Sequence, residues 1–225
     1  MYAAAVAAAL PFLQTPLRWA QGTVDYAYQL LRQPRGAAWF RDKFPSWSQF
    51  REASLRQVQE AVQYVVVTDI SGFYDAIDLA TLLSDLRQVD VPAPLVELLA
   101  TCLYRWANPL TRGIPQGQSA SDVLAKVYLN SVDRNLRAMG YVHVRYVDDF
   151  RVFCRDRVQA KKALLDLTGL LRQRGLILQA AKSELLRADQ ARNRIEGVLP
   201  TLNNLSKRFD QALSEDKREM SKEKD

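Results

Sequence analysis

The segment YVVVTD, residues 64–69, decides the fold of this chain. It is an unbroken run of aromatic and β-branched side chains, which is typical of a buried strand, and its last residue is an aspartate. Further along, two β-rich runs at Tyr141–Val147 and Phe150–Cys154 are joined by Asp148 and Asp149, which predicts a tight hairpin. Acidic residues therefore stand at strand ends in two places, and we expect these strands to be neighbours in one sheet.

Predicted helices flank these strands along the sequence. Leucines at helical spacing, together with capping and turn residues, predict helices at about 79–88, from Pro94 to about Trp106, at 119–138 and at 157–174. A short strand is predicted at 176–178. This order of elements predicts an α+β fold, in which an antiparallel sheet has helices packed on one face.

Composition excludes several classes of protein. Of the 225 residues, 48% are apolar and 25% are charged, as in a globular chain and unlike a disordered tail or a small disulfide-stabilised domain. His143 is the single histidine, which excludes a zinc site or a mechanism that needs two. Cys102 and Cys154 lie far apart without metal-ligand spacing, and we interpret them as reduced thiols of the core. The first 13 residues are apolar but too few to span a membrane, and we expect a packed helix there.

The net charge of +6 is unevenly distributed. Residues 61–150 carry 10 acidic and 7 basic side chains, whereas residues 151–204 carry 5 acidic and 11 basic ones. An acidic centre suits cations and a basic flank suits phosphates, as a site that handles nucleotides requires. We expect the basic segment to contact a nucleic-acid backbone, through the candidate residues Arg151, Arg155, Lys161 and Lys162.

The aspartates permit two interpretations. A lone Asp-Asp pair in a hairpin most often serves the turn itself, because aspartate favours turns and helix caps. Here a second acidic site follows the buried strand, and adjacent carboxylates repel each other unless a cation neutralises them. Two Mg²⁺ ions about 3.5–4 Å apart can clamp the reacting oxygens of a phosphoryl transfer. We expect Asp69 and Asp148 to bind such ions directly, with Asp149 as the less direct third ligand.

Four segments together resemble a known family. They read TDISGFYDAID at 68–78, GIPQGQSASDVLAKVYLNSVD at 113–133, YVDDF at 146–150 and GLILQAAKSELL at 175–186. In order and approximate spacing they are similar to motifs A, B, C and D of the reverse transcriptase palm, especially in bacterial enzymes of the group II intron, retron and defence (abortive-infection) types. The YVDD motif alone is a weak signal, whereas four motifs in order are specific. The resemblance implies a polymerase palm with an RRM-like antiparallel sheet.

The resemblance also implies a metal site. Asp69, Asp148 and Asp149 match the catalytic residues that bind two Mg²⁺ ions, and Ile70 matches a residue that offers its backbone oxygen. Catalysis in such a site consists mostly of positioning and charge neutralisation.

Nucleotide-binding residues are implied as well. Tyr74 matches the aromatic side chain that packs against the sugar and disfavours a 2′-hydroxyl, and ordinary packing on the sheet is the alternative. Gln116 and Gly117 match the pair that lines the nucleotide pocket, where glycine permits close approach of the backbone. Lys182 matches a lysine suggested to protonate the leaving pyrophosphate, and a solvated loop lysine is the alternative.

The motifs divide the chain into three regions. Residues 1–63 are expected to form a helical N-terminal region, with reduced or atypical fingers, residues 64–200 the palm, and residues 201–225 a charged tail that is helical or disordered. The family usually has a basic fingers hairpin before the first motif, and none is evident here, although four residues are candidates to grip a triphosphate: Arg32, Arg35, Arg41 and Lys43. Neither this hairpin nor a full thumb is expected, so the sequence is interpreted as a fragment, as a truncated gene product, or as a palm that depends on a protein or RNA partner for the missing grip.

The function implied by the resemblance is that of an RNA-directed DNA polymerase. Its partners would be an RNA template, a DNA or RNA primer and deoxynucleoside triphosphates, with no membrane, in the cytoplasm, and in phage defence or a mobile element. Two alternatives stay open. One is a catalytically incomplete palm that binds nucleic acid together with a partner, and the other is an untemplated or protein-primed polymerase.

Overall fold

The computed structural model describes residues 1–35, 38–41, 43–59 and 61–197. Its helices are α1 (Tyr2–Arg18), α2 (Lys43–Gln59), α3 (Phe73–Ala76), α4 (Leu79–Gln88), α5 (Ala93–Ala107), α6 (Ser119–Ala138), α7 (Arg157–Gln173) and α8 (188–197). Its strands are β1 (Leu30–Arg35), β2 (Ala38–Phe40), β3 (Tyr64–Thr68), β4 (Val142–Tyr146), β5 (Asp149–Cys154) and β6 (Glu184–Arg187). The predicted tail at 201–225 and the last three residues of the predicted palm lie outside the described residues.

The predicted antiparallel sheet is confirmed. Its four strands lie in the order β4-β5-β3-β6, and every neighbouring pair is antiparallel. The buried run that ends before Asp69 forms the central strand β3, and the predicted hairpin forms β4 and β5. Pairing of Thr68 with Phe150 fixes the register of the two strands that carry the acidic residues.

The strand predicted at 176–178 is wrong in its position. Only Leu178 of this segment forms a bridge, to Ile70, and the fourth strand is β6 at Glu184–Arg187. The sequence ELLR of β6 has no β-branched residue and therefore carries no local strand signal. Pairing with the central strand β3, from Tyr64 opposite Arg187 to Val67 opposite Glu184, makes it a strand.

Alternation of side chains across the sheet builds two cores. On one face, Val66 and Val152 belong to a large core that contains side chains of six helices: Leu10 of α1, Phe73 of α3, Leu82 of α4, Leu99 of α5, Leu124 of α6 and Leu167 of α7. This is the predicted helical layer. On the other face, Val65 and Phe153 belong to a smaller core with Phe50 of α2 and Ile195 of α8, which the sequence did not predict. The Asp78 carboxylate caps α4 as predicted, because its Oδ1 accepts a hydrogen bond from Thr81 N at 2.9 Å.

The N-terminal region contains a hairpin that the sequence analysis missed. The apolar start forms the expected packed helix, α1, which contacts α5 and α6. The region after it was expected to be helix and loop, yet β1 and β2 pair antiparallel, with Leu30 opposite Phe40 and Arg35 opposite Ala38. The sequence LLRQPR of β1 lacks alternation and includes Pro34, which only a strand outside the main sheet tolerates easily. Of the four candidate basic residues, Arg32 and Arg35 lie on β1.

No helix in the described part of the chain combines the length and the apolar character needed to cross a membrane. Both cysteines are free thiols, Cys154 buried and Cys102 partly buried.

Candidate active site

The three candidate carboxylates meet at one end of the sheet. Asp69 directly follows β3, Asp149 begins β5, and Asp148 lies in the turn between β4 and β5. Because Thr68 pairs with Phe150, the antiparallel register brings Asp69 and Asp149 to neighbouring positions on the same face. The sequence prediction that these groups come together is thus supported by the strand register.

A cavity of about 640 Å³ opens over this end of the sheet. All three aspartates line it, and so do four of the other predicted site residues, which are Ile70, Tyr74, Gln116 and Lys182. Gly117 does not line the cavity and lies in the turn before α6 with a φ of 83°, a conformation that glycine adopts without strain. The volume is in the range of pockets that bind small ligands.

Negative charge is concentrated in the cavity. Burial raises the pKa of Asp148 above its ordinary value, and the nearby Asp69 carboxylate raises it further. Burial also raises the pKa of Asp149 to about 6, although the Arg151 guanidinium, 3.8 Å from its Oδ2, acts in the opposite direction. Such a cluster favours the approach of a cation, which would lower these pKa values.

The chemistry of these groups fits a hard divalent cation. Within the described ranges, no three His, Cys, Asp or Glu side chains are already arranged as a metal site. Yet Asp149 Oδ1 is buried and has no hydrogen-bond partner among the described residues, which is costly for a carboxylate oxygen unless a cation binds there. Carboxylate oxygens are the ligands that Mg²⁺ prefers. The residues present therefore fit magnesium.

Two basic side chains border the carboxylates. Lys182, in a 3₁₀ turn before β6, forms an ion pair with Asp69, and its side chain is 62% exposed. Arg194 of α8 lines the same cavity and pairs with Glu184 at 2.7 Å. Arg194 was not predicted as a site residue, because nothing in the local pattern of residues 188–197 shows that this helix lies on the face of the sheet that carries Asp69 and Asp149.

Tyr74 projects toward the helix that follows the PQG segment. Its hydroxyl donates a hydrogen bond of 2.6 Å to Asp122 Oδ1 of α6, and its side chain is buried. Burial raises the pKa of Tyr74, and the Asp122 carboxylate raises it further, so the hydroxyl stays protonated and donates. Tyr74 belongs to the large core and also lines the cavity. Its position is therefore compatible with ordinary packing and with contact to a ligand in the cavity.

The predicted nucleic-acid contacts do not surround the cavity. Arg151 is buried, donates to Ser54 Oγ at 2.9 Å and lies over the Phe50 ring, so it supports Asp149 from within the smaller core. Arg155 is exposed beyond the far end of β5. Lys161 and Lys162 lie on α7, which packs on the face opposite the carboxylates. The net charge along the chain could not show where these four residues lie in the fold, because it carries no information on which face of the sheet a helix covers.

A buried ion pair supports the turn that carries Asp148. Val147 in this turn has a φ of 57°, which is rare for a β-branched residue. Arg145 Nη1 donates to the Val147 carbonyl at 2.7 Å, and the same guanidinium makes three hydrogen bonds to Asp133 of α6, at 3.1, 3.2 and 2.6 Å. His143, expected to be packed and not catalytic, is buried and hydrogen-bonded to Asp133. The turn that carries Asp148 is thus fixed to the long helix α6.

Comparison with known proteins places this geometry in context. A family model described as reverse transcriptase (RNA-dependent DNA polymerase) matches residues 12–219. A search of curated protein sequences found no match. Among solved structures, telomerase from Candida tropicalis in complex with the TWJ fragment of telomeric RNA is similar with a TM-score of 0.58 and 12% identity, over 80% of this chain and 33% of that one.

Two further telomerase structures from the same yeast are similar in fold. The apo enzyme truncated from its C-terminal domain gives a TM-score of 0.55 at 12% identity, over 80% of this chain and 40% of that one. The apo enzyme gives 0.53 at 14% identity, over 81% and 37%. The present chain therefore spans 33–40% of the length of these structures.

Proposed function

Because the chain belongs to the reverse transcriptase (RNA-dependent DNA polymerase) family, we propose that it is a nucleotidyltransferase that adds deoxynucleotides to a primer 3′-hydroxyl on an RNA template. The observation that carries this proposal is the meeting of Asp69, Asp148 and Asp149 in a cavity of about 640 Å³ at the end of the sheet. Carboxylates that meet in a cavity, two of them, Asp148 and Asp149, with pKa values raised by burial, are typical of a site for metal-assisted chemistry.

We assign these three carboxylates, together with the Ile70 carbonyl, to hold two Mg²⁺ ions. When bound, such ions stabilise charge on the reacting oxygens of a phosphoryl transfer. The protein's own contribution is positioning, since the carboxylates come from two paired strands and the turn between β4 and β5. Asp149 is held beside Arg151, which restrains its side chain.

The nucleotide would lie between the carboxylates and the start of α6. Tyr74 and the exposed side chain of Gln116 border this part of the cavity, and Gly117 follows with space beside its backbone. Lys182 is cationic, because its hydrogen bond to Asp69 raises the pKa of its ammonium group. It can therefore neutralise or protonate a phosphate oxygen that leaves the site.

The biological role that we propose is bacterial phage defence or the propagation of a mobile element, in the cytoplasm. It is supported by the likeness of the segments at 68–78 and 146–150 to those of group II intron, retron and defence enzymes. A protein or RNA partner that completes the grip on the primer is part of this proposal.

Primer extension tests the proposed activity. The protein is incubated with Mg²⁺, the four dNTPs and a DNA primer annealed to an RNA template or to a DNA template of the same sequence. We expect products that copy the RNA template. Products with a sequence independent of the template would favour an untemplated polymerase. Complete absence of product with every template and primer would favour a palm that only binds nucleic acid.

Arg194 and Lys161 provide a matched pair for locating the nucleic acid. Arg194→Glu is expected to weaken binding of a primer–template duplex about tenfold. It should also lower the slope of log affinity against log salt concentration by the amount that corresponds to about one phosphate contact. The physical reason is that Arg194 lines the cavity, and its exposed pair with Glu184 costs little to break. Lys161→Glu makes the same charge change on the opposite face and is expected to change affinity less than twofold. Fluorescence anisotropy measures both, and equal effects would contradict the assignment.

A further inference from the structure

Two tyrosine hydroxyls converge on one buried carboxylate beside the catalytic cavity. Asp122, in the first turn of α6, is 7% exposed. Its Oδ1 accepts a hydrogen bond of 2.6 Å from Tyr74, and the hydroxyl of Tyr28 is hydrogen-bonded to both Tyr74 and Asp122. Both tyrosines line the cavity. A buried carboxylate is costly unless it is hydrogen-bonded, and here the Tyr74 hydroxyl satisfies it.

Tyr28 is held in an unusual conformation. Its φ is 43°, in the left-handed region that bulky residues rarely adopt, and its ring contacts Phe40 of β2 at 5.4 Å between centroids. The loop before it is fixed to the same helix, because Lys126 donates to Asp25 Oδ2 at 2.5 Å and to the Ala27 carbonyl at 2.7 Å.

Asp122 and Lys126 are four residues apart on α6 and therefore lie on one side of it. The helix thus fixes both the loop that carries Tyr28 and the hydroxyls of the two tyrosines. This anchors part of the N-terminal region to the cavity through polar contacts that lie outside the catalytic carboxylates.

Building on the proposed polymerase function, we propose that Asp122 is a positioning residue for sugar selection, which holds the Tyr74 ring in place through its hydroxyl and thereby excludes a ribose 2′-hydroxyl. Without the hydrogen bond, the ring can turn away from the sugar and admit a ribonucleotide. Tyr28 supports the same carboxylate from the N-terminal loop. The ligand class discriminated is deoxynucleoside against ribonucleoside triphosphates.

The test compares dATP with ATP in the presence of Mg²⁺, by equilibrium binding in a calorimeter and by single-nucleotide addition to a primer. Asp122→Ala is expected to reduce the preference for dATP about tenfold or more, mainly through stronger use of ATP, since a hydrogen bond to a charged acceptor contributes about this much. Tyr74→Phe removes the other partner of the bond and is expected to have a similar effect. Asp122→Asn keeps an acceptor of the same shape and should retain most of the preference.

Two further variants separate positioning from general damage to the fold. Ser121→Ala removes a neighbouring buried hydroxyl, bonded to Tyr2 at 2.9 Å, and should leave the preference unchanged. The double variant Tyr74→Phe with Asp122→Ala should lose no more of the preference for dATP than Asp122→Ala alone, because both changes break the same hydrogen bond.

An unchanged preference in Asp122→Ala and Tyr74→Phe, or additive losses in the double variant, would overturn the inference. Binding and addition also distinguish this inference from the proposed function. If the native protein binds dATP in preference to ATP, and the variants lose that preference without any primer being extended, the inference stands and the polymerase proposal fails.

Discussion

Replacing Asp148 by asparagine is expected to abolish primer extension while the protein remains folded. The amide side chain would keep the size of the carboxylate but lose the charge that, in our proposal, holds a divalent cation beside Asp69. Loss of a metal that supplies several kcal/mol of transition-state stabilisation corresponds to a rate at least about 10³-fold lower. Single-turnover extension with Mg²⁺ measures the rate, and circular dichroism with thermal unfolding reports the fold.

Asp189→Asn is the control for this prediction. Asp189 is an exposed carboxylate that pairs with Arg187 on the surface and does not line the cavity. Its replacement should change the rate less than twofold. Extension by Asp148→Asn at a rate close to that of the native protein would show that Asp148 is not a metal ligand of the reaction.

Asp133→Ala is expected to cause the largest loss of stability. Burial alone would raise the pKa of Asp133. The Arg145 guanidinium and the hydrogen bonds from His143 and Arg145 outweigh this effect and lower the pKa to about 2. Removing the carboxylate deprives the buried Arg145 of the partner that accepts three of its hydrogen bonds, and Asp25, 3.1 Å from its Nη2, then remains as an acidic partner. Breaking a buried pair in this way costs about 3–5 kcal/mol, a large part of the stability of a typical domain. Urea unfolding measures the change in free energy.

Asp166→Ala removes a carboxylate from an exposed ion pair with Lys162 and serves as the comparison. Loss of this ion pair should lower the free energy of unfolding by less than about 1 kcal/mol. Loss of the hydrogen bond that Tyr141 donates to Asp166 adds to this cost. Comparable costs for the two variants would mean that the buried network around Arg145 contributes no more than a surface pair.

The parts of the fold with a local signal could be predicted from the sequence. The β-branched run of β3 and the hairpin at 141–154 gave the central strands, and leucine spacing gave helices such as α4 at its observed bounds. The same strands gave the carboxylates, because an aspartate at the end of a buried strand is conspicuous. Order and spacing of four motifs then identified the family.

The remaining features depend on contacts between distant parts of the chain. No local sequence pattern marks Arg145, Lys126 and Asp133 as buried, and only the packing of residues far apart in sequence places them in the core. The hairpin of β1 and β2 has no alternating pattern and includes a proline. The position of α8 could not be inferred either, because the sequence of this helix does not indicate which face of the sheet it covers.

Counting bound metal ions tests the central claim most directly. The protein is assembled with a primer–template whose primer lacks a 3′-hydroxyl and with the matching dNTP, and Mn²⁺ is titrated as a spectroscopic substitute for Mg²⁺. We predict that the native protein binds two Mn²⁺ ions and that Asp69→Asn and Asp148→Asn each bind at least one fewer. The same number of ions in the native protein and in both variants would contradict the assignment of these carboxylates as the metal site of a polymerase.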